Sequence, residues 1–171
     1  MHGKYDAGTA LPRRHASIWL RNAAGFSPQS AGEPFANFFF GGFGNNWIDH
    51  GEIKRYREHY AFPGAALNEI AGRNFVRSLV ELALPPIRFS RVGTPGFYLS
   101  FVRPAVFAGG LVTNVDARIG RRTAATMGAQ IDLRAMVLSS LDLTLSFGAG
   151  LRLDRHRPAR REAMISLALL K

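Results

Sequence analysis

The sequence predicts an all-β, antiparallel fold, and three observations carry that expectation. The run LDLTLSFGAGLRLD, Leu141 to Asp154, alternates almost without a slip. Leu143, Leu145, Phe147, Ala149, Leu151 and Leu153 fall on one parity; Asp142, Thr144, Ser146, Gly148, Gly150, Arg152 and Asp154 fall on the other. Strand side chains point alternately to opposite faces, so this is a strand with one apolar and one polar face. The pattern recurs along the chain, and no segment makes a convincing amphipathic helix. No window of about 18 consecutive apolar residues exists either, so no transmembrane helix is encoded.

Taken in order, the strand candidates are seven. His15–Ala24 (HASIWLRNAA) and Phe35–Phe43 (FANFFFGGF) come first. Arg73–Leu84 (RNFVRSLVELAL) carries Val76, Val80, Leu82 and Leu84 on its even face; Arg73, Arg77 and Glu81 lie on the odd one with Phe75 and Leu79. Phe97–Ala108 is a strand whose phase breaks at Arg103-Pro104, where a proline removes a ladder donor and predicts a bulge or kink. Thr123–Val137 and Leu141–Asp154 are two long strands joined across LSSL, short enough for a hairpin. Glu162–Lys171 ends the set, with Ala163, Ile165, Leu167 and Leu169 opposite Glu162 and Ser166. The connections at Gly109–Arg122 and Arg155–Arg161 are medium and rich in arginine, and the longest, Gly44–Gly72, is polar with no strand pattern.

Strand length then bears on what the apolar faces meet. Soluble strands are commonly about 5–6 residues, whereas a tilted strand needs about 9–11 to cross a bilayer. Lipid demands that every backbone group be paired within the sheet, an apolar outer face, and an inner face free to be polar, charged or glycine. Short turns alternating with long loops fit the same architecture. The competing reading is a soluble sandwich or small barrel whose apolar faces meet a protein core.

Composition bounds the function. The 171 residues carry a formal charge of +10, almost all from arginine, since Lys4, Lys54 and Lys171 are the only lysines. Nucleic acid, lipid head-group phosphates and a plain arginine-rich coding bias all account for such a balance. With no cysteine there are no disulfides and no thiolate metal sites. FGGFGNN lacks a following Gly-Lys-Ser/Thr, so it is not a phosphate-cradling loop. Asp49-His50, Glu52 and Glu58-His59 match no metal-ligand spacing. No GxSxG motif is present. Neither a cofactor, nor a metal site, nor an enzyme is therefore expected.

FFFGGFGNN, then a long loop, then GRNFVRSLVELALPP and GTPGFYLSFVRPAVF resembles the C-terminal part of the outer-membrane assembly and bacterial surface-antigen barrels (BamA- and TamA-like). In that family a strand ending in Gly-Gly leads into a loop that folds back into the barrel lumen; a glutamate-bearing strand and a Pro-containing turn follow. Phe40-Gly41-Gly42 matches the first element, and Glu81 with Leu84-Pro85-Pro86 the second. The resemblance spans about residues 16–170. Two features depart from it. The family's Arg-Gly-aromatic loop tip is replaced by Ile53-Lys54-Arg55-Tyr56-Arg57, and the chain ends Leu169-Leu170-Lys171 rather than on an aromatic.

The resemblance implies a C-terminal portion, residues 1–171, of a larger barrel of the sixteen-stranded type, with an inward-folding loop at about 44–72. Arg77 and Glu81 lie about 13 Å apart along an extended strand, too far to pair with each other. The expected loop-pinning set is therefore Arg73, Arg77 and Glu81 against the loop charges Glu52, Arg55, Arg57 and Glu58, with Asp132, Arg134 and Arg152 adding to the same lumen. The loop motif itself comprises Gly41, Gly42, Lys54 and Tyr56, with Arg55 or Arg57 at the tip. The implied setting is the bacterial outer membrane, and the role is insertion or secretion of polypeptides without chemistry of the chain's own. Its partners would be outer-membrane lipid and lipopolysaccharide, the rest of the barrel, and unfolded barrel substrates or a secreted chain. Glu162–Lys171 would be the gate strand. Two alternatives are a barrel that anchors a fused domain and a soluble basic β-domain that binds nucleic acid. The second would need aromatics on polar strand faces, yet Phe101 and Phe147 lie on apolar ones.

Overall fold

The structure is a computed structural model. It describes residues 1–12, 15–28, 36–43, 53–90, 92–117, 120–138, 140–155 and 157–170, with the backbone only for 169 and 170. It is all-β and antiparallel. Seven strands form the main sheet in the order β1 (His2–Ala10), β2 (Ser17–Phe26), β5 (Asn74–Ala83), β8 (Phe97–Thr113), β9 (Arg122–Val137), β10 (Leu141–Asp154) and β11 (Arg157–Leu170). The short β6 (Ile87–Arg88) and β7 (Gly93–Thr94) add to β8, and β3 (Phe38–Phe40) pairs with β4 (Ile70–Gly72) outside that sheet. Among the described residues no helix is long and apolar enough to cross a membrane. The sheet is open, with β1 and β11 as its edges.

The long strands β8, β9 and β10 run 17, 16 and 14 residues. Register locks them because a slip of one residue would reverse both faces. Each puts its apolar parity on a face that none of the other described residues covers. Val76, Val80, Val106, Met127, Ile131 and Phe147 all stand on it, Val76 at 50% exposure and Ile165 at 72%. The opposite face is where the burial lies. Phe75, Leu79, Ala105, Phe107, Leu111 and Ala124 share it with Arg77, Glu81, Gln130, Asp132 and Arg152. A segment of the chain between β3 and β4 lies across that face.

Seven strands were expected and seven make the sheet, but not the same seven. His2–Ala10 shows no apolar periodicity, and pairing with β2 along its whole length makes it a strand. The stretch expected as a strand at Phe35–Phe43 contributes only Phe38–Phe40, and it joins Ile70–Gly72 within the segment expected to be patternless. Arg155–Arg161 is not a loop: Asp154 already faces Arg157, and β11 begins there. Pro158 is accommodated because it falls in a bulge on an edge strand, where no continuous ladder is needed. β8 reaches Thr113, so the next connection is shorter than expected.

The bulge expected at Arg103-Pro104 lies instead between Leu99 and Phe101, and Pro104 stays in register with Ile131. A strand residue's N and C=O point to the same side. On that side of Pro104 the ladder with β5 has just ended at the Ala83–Ala105 pair, and the Pro104 carbonyl accepts the Leu84 amide at 3.0 Å. The missing donor costs nothing there.

Glycine fixes how closely the crossing segment approaches. Gly64 has φ +91°, and a Cβ on it would overlap the backbone of Arg152; one on Gly150 would run into Pro63. A side chain forced into that left-handed conformation costs about 1–3 kcal/mol before any overlap. Gly64→Ala should therefore lower the denaturation midpoint by the equivalent of at least about 1–3 kcal/mol. Gly96→Ala, where a Cβ meets nothing within 4 Å, should stay within about 0.5 kcal/mol of the parent. Chemical denaturation of both variants checks this, and equal midpoints would contradict it.

Candidate functional site: a loop docked on the charged face

The loop begins at Gly41-Gly42, the turn that ends β3. A Cβ on Gly41 would overlap the Ala66 carbonyl, and Gly42 has φ +65°. Both positions therefore need glycine, and Gly42 forms an isolated bridge with Phe62 that closes the loop on itself. Inside it, Arg55–Arg57 makes one 3-10 turn with Tyr56 pointing into the interior. The Tyr56 ring stacks on Phe107 at 4.2 Å between centroids, against Leu79 and Ala105. Burial, with the Glu81 carboxylate nearby, keeps the Tyr56 phenol protonated. A second cluster, Phe40, Phe62, Ala65 and Ile70, rests on Ala23, Phe75, Leu111 and Ala124 of the sheet. Each large side chain so buried contributes about 1.5–3 kcal/mol.

Between these apolar clusters the charges are matched across the interface. Arg57 donates to both oxygens of fully buried Glu81, Nη2 to Oε1 at 2.6 Å and Nε to Oε2 at 2.9 Å. This is the bidentate geometry that suits a guanidinium to a carboxylate. Arg21 of β2 reaches the same Glu81 at 3.3 Å and Asp6 of β1 at 2.6 Å. Lys54 meets Asp132 at 2.9 Å. Gln130 and Ser146 also donate to Asp132, and Gln130 reaches the Ile53 carbonyl at 3.0 Å. Thr126 donates to the Pro63 carbonyl at 2.6 Å, and buried Arg77 to the Tyr56 carbonyl at 2.8 Å.

Of the residues singled out from sequence, Lys54, Tyr56, Arg57, Arg77, Glu81, Asp132 and Arg152 come together between loop and sheet. Arg57, rather than Arg55, is the arginine that reaches a strand carboxylate; Arg55 lies 3.9 Å from Glu58. Two expectations are corrected. Arg73 sits in the break between β4 and β5, not on the strand face, and lies 3.8 Å from Asp116. Arg134 pairs with Asp142 at 2.6 Å across the β9–β10 ladder and, among the described residues, takes no ion-pair partner from the loop. Its neighbour in that ladder is within reach, so the loop is not needed to neutralise it. Asp49, His50 and Glu52 fall outside the described residues, and among those described no group of three or more potential ligands is set to hold a metal.

Two carboxylates that sequence reasoning passed over do as much as Glu81. Glu69, near the end of the loop, contacts Arg152 directly, Arg157 at 2.9 Å, Arg122 at 3.4 Å and Arg160 at 3.6 Å. Burial pushes its carboxyl up, but the Ala66 amide and the arginines, Arg152 first, hold it down at about 2. Glu162 of β11 accepts the Gly64 amide at 2.8 Å and the Phe43 amide at 3.3 Å. The arginine excess of the last strands was the available signal that an acid must meet them.

Removing one partner of a buried ion pair costs about 3–5 kcal/mol. Glu81→Gln should therefore loosen the loop and speed tryptic cleavage after Lys54, Arg55 and Arg57. Mass-spectrometric timing of those cuts checks this, and unchanged protection would count against it. Glu69 gives a pH test. Its folded value lies below the ordinary carboxylate range of about 4, so its stabilisation is complete above that range and is lost as pH falls toward 2. A carboxyl titration followed by NMR should find its midpoint near 2, and Glu69→Gln should remove the acid-labile step. A midpoint in the ordinary range would contradict the arginine cluster.

Comparison with known proteins finds no matching family model, curated protein or solved structure.

Proposed function

We propose that this chain supplies strands of a transmembrane β-barrel in the bacterial outer membrane. It acts there in the insertion or secretion of polypeptides, with no chemistry of its own. The observation that carries the reading is the inverted burial of the sheet. Its charged parity is covered by the loop, while its apolar parity stands bare from Ile18 and Leu20 of β2 to Ile165 and Leu167 of β11. Soluble monomers rarely expose a contiguous apolar surface of that extent, whereas lipid requires one. Strands of 14–17 residues exceed what a tilted crossing needs.

Further strands would pair with β1 and β11 to close the sheet, since open edges in lipid leave backbone groups unpaired. The exposed arginines at the start of β11, Arg157, Arg160 and Arg161, suit lipopolysaccharide phosphates. A role in polypeptide insertion or secretion rests on the resemblance to the assembly barrels, whose Gly-Gly turn and folded-back loop have counterparts here. On that reading Arg57 takes the place of the loop-tip arginine, and β11 is the strand that a substrate would meet.

The chain has no cysteine, so single cysteines report cleanly on each face. Cysteines introduced one at a time from Leu143 to Arg152 should carry a polarity-sensitive probe in liposomes. A lipid-soluble quencher should act on probes at Leu145, Phe147 and Leu151, and spare those at Thr144, Ser146 and Arg152. A monodisperse, detergent-free protein with no such alternation would overturn the membrane reading.

A further inference from the structure

A cavity of about 230 Å³ lies between the loop and strands β1, β2 and β5. The register explains why it is there. Lys4 of β1 faces Ala23 of β2, and Ala23 faces Arg77 of β5, so the three form one row on the loop-covered face. Strands are spaced about 4.8 Å apart, which sets the backbones of Lys4 and Arg77 about 10 Å from each other. The methyl group between them fills little of that width. His59 closes the space from the loop side, stacked on His2 at 4.9 Å.

The charges around this cavity are unbalanced. Asp6 and Glu81 are taken up by Arg21 and Arg57, and Glu58 lies beside Arg55. Among the described residues neither Lys4 nor Arg77 has a carboxylate within ion-pair distance. Arg77 is 3% exposed. One of its Nη groups donates to the Tyr56 carbonyl, while its Nε finds no acceptor, and the Nε2 of His59 is likewise unpaired. A buried guanidinium facing a second cation, with a donor left unused, is costly unless an anion meets it. Burial, then Lys4, His2 and Arg77, push the His59 imidazole down to about 4, as the positive field requires.

We propose that this cavity is a binding site for a phosphate group, held over Ala23 by Lys4 and Arg77 with His59 above it. A tetrahedral dianion suits donors that converge from three directions, and the guanidinium fork suits its oxygens. The site lies on the loop-covered face, so the inference stands apart from what the bare face meets.

The test uses the full chain in detergent micelles and reads thermal unfolding against added inorganic phosphate, with chloride at equal ionic strength as control. The expected result is a midpoint that rises with phosphate and not with chloride. The phosphate affinity should fall roughly tenfold in Lys4→Gln, the loss of one charge-assisted contact. Lys4 is exposed, so that variant folds; Arg77→Gln should abolish the effect. Arg88→Gln, on exposed β6 and outside the lining of the cavity, should leave it unchanged. A soluble short-chain phosphatidic acid forms the second arm. A shift with it but not with inorganic phosphate, still sensitive to Lys4→Gln, supports the site and identifies its source as a lipid head group. No shift with either ligand, or a shift that ignores both Lys4→Gln and Arg77→Gln, overturns the proposal.

Discussion

Everything in this structure follows from where the sheet keeps its charges. Arginines, acids and glutamine gathered on one face of the sheet would be ruinous in a packed core, because each buried ion costs several kcal/mol in lost hydration. The chain solves this with its own loop. Arg57 on Glu81, Lys54 on Asp132 and Glu69 on the arginines of β9, β10 and β11 convert a polar sheet face into a set of matched pairs. The aromatic clusters around Tyr56 and Phe62 fill the space between them. With that face covered by the loop, the apolar parity is left outside.

The division of labour between loop and sheet is also a division of interaction types. Backbone hydrogen bonds hold the strands to one another and depend little on side-chain identity. The docking of the loop relies on a few strong, directional contacts, most of them involving an ionised group. Such contacts are stronger than neutral ones and unforgiving when half removed. Two close approaches between loop and sheet, Gly64 against Arg152 and Gly150 against Pro63, leave no room for a side chain. The loop therefore sits in one place rather than sliding over the face.

The legible part of this fold was the part written in a short local period. β9 and β10 were visible because two-residue alternation persists over more than ten positions, and their polar parity places Asp132 and Arg152 on one face, which Glu81 of β5 shares. β1 was not visible: His2–Ala10 is a strand because β2 offers it a partner, a fact absent from its own composition. The start of β11 hid behind arginine and proline, which read as a loop unless a bulge is foreseen. Pairings between loop and sheet are long-range, so spacing alone could name Arg55 and Arg57 together but could not choose between them. Glu69 was missed for the same reason, since nothing adjacent to it in sequence reveals four arginines in later strands.

The acceptor for the loop's Phe43 and Gly64 amides is Glu162, which is separated from them by 119 and 98 residues. Closing so large a span is entropically costly and slow, and the strand that carries Glu162, β11, follows the loop by more than 80 residues. The loop thus precedes most of its anchors in order of synthesis and must wait for them until the β10–β11 hairpin forms. Its docking therefore reports on assembly: a seated loop means that the sheet has been built at least as far as β11.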